Sequence, residues 1–343
     1  MGKIVKFENA PKILASASVV GKKENDGPLS KYFDAHDVSD KFGQKTFEQA
    51  ESEMQRMALN LALSKIKASP ESVDAVFAGD LMNQCTGSSY GLSGFGISYF
   101  GLYGACSTAA EGLILAGMTV NSGIYDRVAS LSSSHNSSAE RQFRFPLEYG
   151  SQRPPTAQWT ATAAAAFVIG SEGAERYTPV ACLTEALAGK IVDKGISDAN
   201  NMGAAMAPAA ADTLLEYFVK NKRSPENFDL IVTGDLGKEG HKICRELLES
   251  EGLRLGRNFS DCGMLIYDSE KQDTHSGGSG CGCSASVTAG YIMEGFKNGS
   301  FKDVLLIGTG ALMSPMSIQQ GLSIAGIGHL IRISSVKKRE AVK

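Results

Sequence analysis

The chain has 343 residues, 43% of them apolar and 21% charged, and a formal net charge of −3. That length calls for one large or two fused α/β domains around a sizeable core. The tail VKKRE is the one basic block, so a nucleic-acid footprint is not expected. No apolar run reaches the length of a membrane span.

At the N-terminus, Lys3 and Lys6 are followed by Glu8, Asn9 and Pro11, which breaks any signal-peptide core. Lys6 also stands where a myristoylation pattern needs Ser or Thr. Seven cysteines is an odd count, read as reduced thiols, and the expectation is a soluble intracellular chain. Residues 47–68 read as an amphipathic helix with Met54, Met57, Leu61 and Ile66 near one face. The apolar run VDAVFAGDL at 73–81 then reads as a buried parallel strand ending in a Gly turn. Next, ISYFGLYGACSTAAEGLILAGM at 97–118 predicts a strand, a tight turn and a helix opening at Cys106 or Ser107. Free N–H groups and the positive end of that helix would favour thiolate at Cys106. A small buried cysteine packing a helix on a sheet fits the same pattern.

The second half repeats the first. FDLIVTGDL at 228–236 matches VDAVFAGDL, and a helix over 207–223 precedes it and stops at Ser224-Pro225. GCGCSASVTAGYIMEGFKNGSFKDVLLIGTG at 280–310 matches the segment at 104–134, setting Cys283 opposite Cys106. Strand, helix, strand, helix, strand in duplicate predicts two similar doubly wound halves, 1–170 and 171–343.

The duplication and the cysteine elbow resemble the thiolase superfamily. The resemblance implies a thiolase-like α/β fold of five layers, αβαβα. It also implies a Cys nucleophile at Cys106, helped by two polar side chains from the second half. The first helper, a His, would fall at Gly234 or Asp235. The second, a His or Asn, would fall near Ser279, Gly280 or Cys281, with His275 a further occupant. Neither place carries the usual side chain, so condensation loses its oxyanion donors and catalysis is not expected.

Longer segments resemble one branch of that superfamily. KENDGPLSKYFD, AGDLMNQC, YGACSTAAE, SSSHNSSAERQFRFPLEYGSQRPPTAQWT, GISDANNMGAAMAPAAADT, SDCGMLIYD, GGSGCGCSA and GTGALMSP are similar to the stage V sporulation protein AD family. Membership implies binding of dipicolinic acid, alone or as its calcium chelate, with no other cofactor. It also implies work beside the other SpoVA membrane proteins, peripherally at the cytoplasmic face of the forespore inner membrane. A homodimer pairing the strand at 97–103 across a two-fold axis is the further expectation. The alternatives are a Cys106-dependent acyl-transferring enzyme of the ketosynthase type and a structural adaptor.

A flat dicarboxylate asks for planar cations, N–H donors and an apolar wall. The segment at 132–160 supplies His135, Arg141, Arg144 and Arg153 as cations, with Phe143, Phe145, Tyr149 and Trp159 as wall. Solvated surface arginines are the plain alternative. Asp198 and Asn201 offer oxygens to calcium, or else cap the helix that follows. The Gly277–Gly280 turn lacks the Lys-Ser/Thr of a P-loop, and its cysteines lack a second zinc-binding pair. Asp80 and Asp235, which end the repeated strands, read as turn caps.

Overall fold

The computed structural model describes residues 2–143, 152–171 and 177–336. Five strands of the first half are β1 (Lys12–Val20), β2 (Ala75–Gly79), β3 (Ser98–Leu102), β4 (Arg127–Ser134) and β5 (Ala163–Gly170). Five of the second are β6 (Ala181–Leu187), β7 (Leu230–Thr233), β8 (Phe259–Asp261), β9 (Asp303–Leu312) and β10 (Ala325–Ser334). They run in the order β8-β7-β9-β10-β6-β1-β5-β4-β2-β3 within a twelve-stranded sheet. Each half therefore has the same internal order, and the same mix of parallel and antiparallel neighbours. The two meet where Lys12 and Ile13 of β1 pair with Cys182 and Ala181 of β6.

Helices complete five layers. Helix α1 (Phe47–Lys65) covers β1 and β5 on one outside, and the helix at Met202–Asn221 covers β9 and β10 on the other. Between the halves lie α2 (Thr108–Asn121), which touches β2, β4, β9 and β10, and the helix at Cys281–Val287, which packs on β1, β4, β5 and α2. In chain order the rest of the helices used below are α3 (Asn136–Phe143), α4 (Met202–Asn221), α5 (Gly237–Ser250) and α6 (Cys281–Val287). The expected thiolase-like architecture is what the chain adopts.

The duplication extends to single hydrogen bonds. Asp74, just before β2, accepts from the backbone N–H groups of Asp126 and Arg127 at 2.9 Å each. Asp229, just before β7, accepts from those of Lys302 and Asp303 at 2.6 and 2.9 Å. Each aspartate ties the start of its strand to the start of the neighbouring parallel strand. Copied residues here do copied structural work.

Two local expectations shift. The buried face of α1 is Ala50, Met54, Ala58, Leu59, Ala62 and Leu63, while Met57 and Leu61 are only partly buried. Alanines let this helix approach the sheet closely, so the bulkier residues ride at its flank. Helix α4 begins at Met202, earlier than the small-residue run alone implied. Asn201 Oδ1 caps it by accepting from Ala204 N at 3.2 Å, and Pro208 is carried inside the helix.

Helix α6 depends on close approach. A Cβ on Gly282 would stand 2.2 Å from the Ala163 carbonyl and 2.7 Å from Ser134 N. Gly282→Ala should therefore push α6 off β4 and β5 and cost about 1–3 kcal/mol, read as a lower urea midpoint at unchanged slope.

Candidate functional site

Strand β3 stops at Leu102, and the chain turns through Ala105 at a φ of 51° before α2 starts at Thr108. Local hydrogen bonds hold the turn. Ser107 Oγ donates to Gly104 O at 2.6 Å, and Thr108 Oγ1 donates to Ala105 O at 2.7 Å. Cys106 is thus pressed inward, 5% exposed, with its Sγ 3.9 Å from Ser279 Oγ. Ser279 in turn donates to Asp235 Oδ2 at 3.2 Å, and Gly280 N donates to the same oxygen at 2.8 Å. Thr309 Oγ1 donates to Asp235 Oδ1 at 2.8 Å. Gln158 Nε2 donates to both the Asp235 and Gly278 carbonyls, at 2.7 and 2.8 Å.

These partners occupy the places foreseen for the thiolase helpers, with Asp235 after β7 and Ser279 before α6. None of the five histidines lines the cavity in front of Cys106. Electrostatics also reverse the expectation for the sulfur. Burial, then the adjacent Asp235, raises the Cys106 pKa well above that of a free thiol, against the lowering by Ser279 and Gly280 N. Burial likewise raises Asp235, while its bonds to the neighbouring hydroxyls and Gly280 N pull the other way. The site holds a protonated thiol beside an acid.

The cavity encloses about 330 Å³. Leu81, Ala139, Phe143, Met202 and Met313 give it apolar walls, and Tyr103, Thr160, Asn200, Ser279 and Ser314 give polar ones. Glu140, on α3, also lines it, and no Lys or Arg does among the described residues.

Of the residues proposed from sequence, Cys106, the wall residue Phe143 and Ser279 at the second helper position line this cavity, and the proposed cations and calcium ligands do not. His135 is 1% exposed and faces away. Its Nε2 pairs with the Asp40 carbonyl at 2.8 Å, its Nδ1 accepts from Ser137 N at 3.1 Å, and its ring lies 5.1 Å from Phe47. Burial lowers its pKa, so it is a neutral structural link and not a carboxylate partner. Arg141 projects outward and pairs with Glu48 at 3.0 Å, because helical spacing puts it on the face opposite Ala139 and Phe143. Arg144, Phe145 and Tyr149 lie outside the described residues. Arg153 pairs with Asp273 at 2.6 Å, and Trp159 sits in a separate cleft. Asp198 closes its own loop by accepting from Asn200 N at 2.9 Å, and Asn201 is the cap of α4, so both oxygens serve the backbone there. His275 is held by Pro154 O and Asp273, away from the sulfur.

What sequence reasoning missed is that Asp235 reaches the sulfur's surroundings. The strand-end repeat with Asp80 disguised it as a turn cap. Asp80 does cap, accepting from Met82 N, Ser88 N and Ser88 Oγ at 2.7–2.9 Å. It also belongs to a buried acid pair with Glu51, which accepts from Ser133 Oγ at 2.9 Å and Ser138 Oγ at 2.7 Å. A buried Glu on an amphipathic helix reads from sequence as a surface residue.

Two outcomes follow from these groups. Cys106 should react with iodoacetamide far more slowly than a free thiol at neutral pH, and Asp235→Asn should speed it; intact-mass time courses decide. Burial holds the folded pKa of Glu51 at about 8, with Asp80 adding to the effect, and holds Glu24 and Asp261 at about 7. The folded chain therefore keeps protons that the unfolded chain releases. Their stabilising contribution is complete below about 4.5 and is lost as pH rises through about 7 to 8. Melting temperature should fall across that window, and Glu51→Gln should flatten the slope.

Comparison with known proteins agrees with this geometry. A family profile described as Stage V sporulation protein AD (SpoVAD) matches residues 2–334. The Bacillus subtilis (strain 168) Stage V sporulation protein AD is 40% identical over 323 residues, covering 94% of each chain. Among solved structures, 3-oxoacyl-[acyl-carrier-protein] synthase III from Aquifex aeolicus VF5 superposes with a TM-score of 0.57 at 16% identity, over 94% of this chain and 99% of that one. Human mitochondrial 3-ketoacyl-CoA thiolase gives 0.58 at 14%, over 96% and 100%. At such low identity those two likenesses speak for the fold alone. With a family match from end to end and a close relative over nearly its full length, the chain belongs to the stage V sporulation protein AD family.

Proposed function

We propose that the chain binds dipicolinic acid, carried as its calcium chelate, in the cavity over Cys106, and that it does so without condensing chemistry. In this reading it serves the SpoVA membrane proteins from the cytoplasmic face of the forespore inner membrane. The observation that carries the proposal is a cavity in front of a thiol that burial and the adjacent Asp235 keep protonated. About 330 Å³ suits a single small planar ligand. Phe143 and the methionines would face the ring, and Thr160, Asn200, Ser279 and Ser314 would meet its polar edge. The chelate is favoured because calcium offsets both carboxylates, leaving hydroxyl, amide and Glu140 oxygens to complete its preferred oxygen shell. Condensation would instead require donors at a developing oxyanion, and the hydroxyl beside the sulfur, Ser279, is already engaged by Asp235.

The reading also takes the chain as a homodimer. Strand β3 is one of the two end strands of the sheet, β8 being the other, and Tyr99 and Phe100 on it are 38% and 45% exposed. An apolar edge of this kind invites pairing with a second copy.

Isothermal titration with dipicolinic acid should give saturable heat that grows when equimolar calcium is present. Ala139→Phe, which fills the cavity, should abolish it, while Arg141→Ala should leave it unchanged. Absence of heat at millimolar ligand in both titrations would sink the proposal. Light scattering at micromolar protein should report a dimer, and a monomer would count against the β3 edge.

A further inference from the structure

A second cleft, of about 510 Å³, opens beside Trp159 and is lined in part by Lys22, Lys23, Asn136, Ser137 and Lys271. Asp26, Asp40 and Asp273 lie on its wall as well. Trp159 is the single tryptophan of the chain. The Lys23 ammonium sits 3.7 Å from its ring centroid and the Arg153 guanidinium 4.9 Å. An aromatic ring flanked by two cations is a binding platform, since its faces hold positive groups near one another.

The acids near that ring are shared among several basic groups. Lys22 is paired with Asp26, and Lys271 with Asp268. Arg153 donates to Asp273 Oδ2 at 2.6 Å and to its carbonyl at 3.1 Å, and Lys23 reaches only that same carbonyl, at 3.5 Å. His275 takes the other Asp273 oxygen at 2.9 Å. Asp273 is thus shared by Arg153, His275 and, through its carbonyl, Lys23, while Asp40 on the same wall accepts from Lys22 N at 2.7 Å. The Arg153 side chain is 7% exposed, yet its Nη1 has no hydrogen-bond partner among the described residues. A buried donor left unmatched is costly, and native sites of this kind are completed by a bound acceptor. Burial and then Arg153 lower the pKa of Lys23, in keeping with an ammonium that lacks a full partner.

We propose that this cleft is a second binding site, for a small oxyanion (a carboxylate or phosphate group) held by Lys23 on its wall and by Arg153, which stands next to the cleft against Trp159 and Asp273. Both cations suit such a group, the guanidinium by its planar fork and the ammonium as a point charge. Asn136 and Ser137 stand at the rim as further donors. The site shares a wall with the first cavity. Trp159 pairs with Gly278 and Thr160 with Ser279, and Thr160 and Ser279 line the cavity of Cys106. Neighbouring strand residues face opposite sides, so an anion that moves Trp159 also bears on that wall. The proposal stands whatever fills the Cys106 cavity.

A lone tryptophan makes the test direct. Its fluorescence, excited at the red edge of the band, is followed while inorganic phosphate or acetate is added at constant ionic strength. A saturating change at low millimolar phosphate is expected, and Lys23→Met and Arg153→Gln should each weaken it about tenfold, the loss of one charge-assisted hydrogen bond. Lys23→Arg should keep the response, and Ala139→Phe, which fills only the first cavity, should keep it too. Should Arg153→Gln fail to fold by circular dichroism, the Lys23 pair of variants decides alone. A linear, non-saturating response overturns the proposal, and so does a saturating one that Lys23→Met leaves untouched.

Discussion

The buried carboxyl of Asp235 is the constraint around which the centre of this molecule is arranged. It lies at the end of β7 and gathers donors from Ser279 and Gly280 at the mouth of α6 and from Thr309 on β9. Three elements from different stretches of chain are thereby fixed to one point. The same group stands close enough to Cys106 to raise its pKa. Structural necessity and the quieting of the sulfur are therefore one arrangement, because a buried acid needs several donors and those donors crowd the nucleophile's end of the cavity.

The duplication explains how such a site can arise. Asp80 and Asp235 occupy matching strand ends and both collect hydrogen bonds, but they do so in different surroundings. Asp80 meets Ser88 and stands near the buried Glu51, whereas Asp235 meets Ser279, a residue of the cavity wall. Repeating the frame preserved the backbone-binding aspartates Asp74 and Asp229 almost bond for bond. What differs between the halves is what surrounds the frame, and that is where the cavity over Cys106 lies.

The frame was largely legible in the sequence. Apolar runs ending in Gly-Asp, a cysteine at an elbow and two helices of small residues locate the strands, the turn and the inner layer. The cavity was much less so. Reading charge density along 132–160 put His135 and Arg141 beside the ligand, but register decides which way a side chain points. His135 turns toward Asp40 and Phe47, and Arg141 toward Glu48, each by the geometry of the first turns of α3. Among the polar residues that line the cavity, Ser279 falls at a helper position foreseen from sequence, whereas Thr160 and Glu140 are ordinary polar types with no pattern to mark them. Glu51 was hidden for a related reason, since a charged residue on a helix is normally outside and only the close approach of alanines drew this one in.

The inner layer has a bearing on how the chain comes to be folded at all. Helix α2 is encoded in the first half yet rests on β9 and β10 of the second, and α6 is encoded in the second yet rests on β1, β4 and β5 of the first. Each half lends the other the cover of its inner sheet face. Helix α2 also covers β2 and β4 of its own half, so the sharing is partial, but separating the halves would uncover β9, β10 and part of the first half's inner face, which couples the two units thermodynamically. Contacts of long sequence separation must form before either sheet is sheltered, which points to slow assembly guarded by the whole chain and not by its parts.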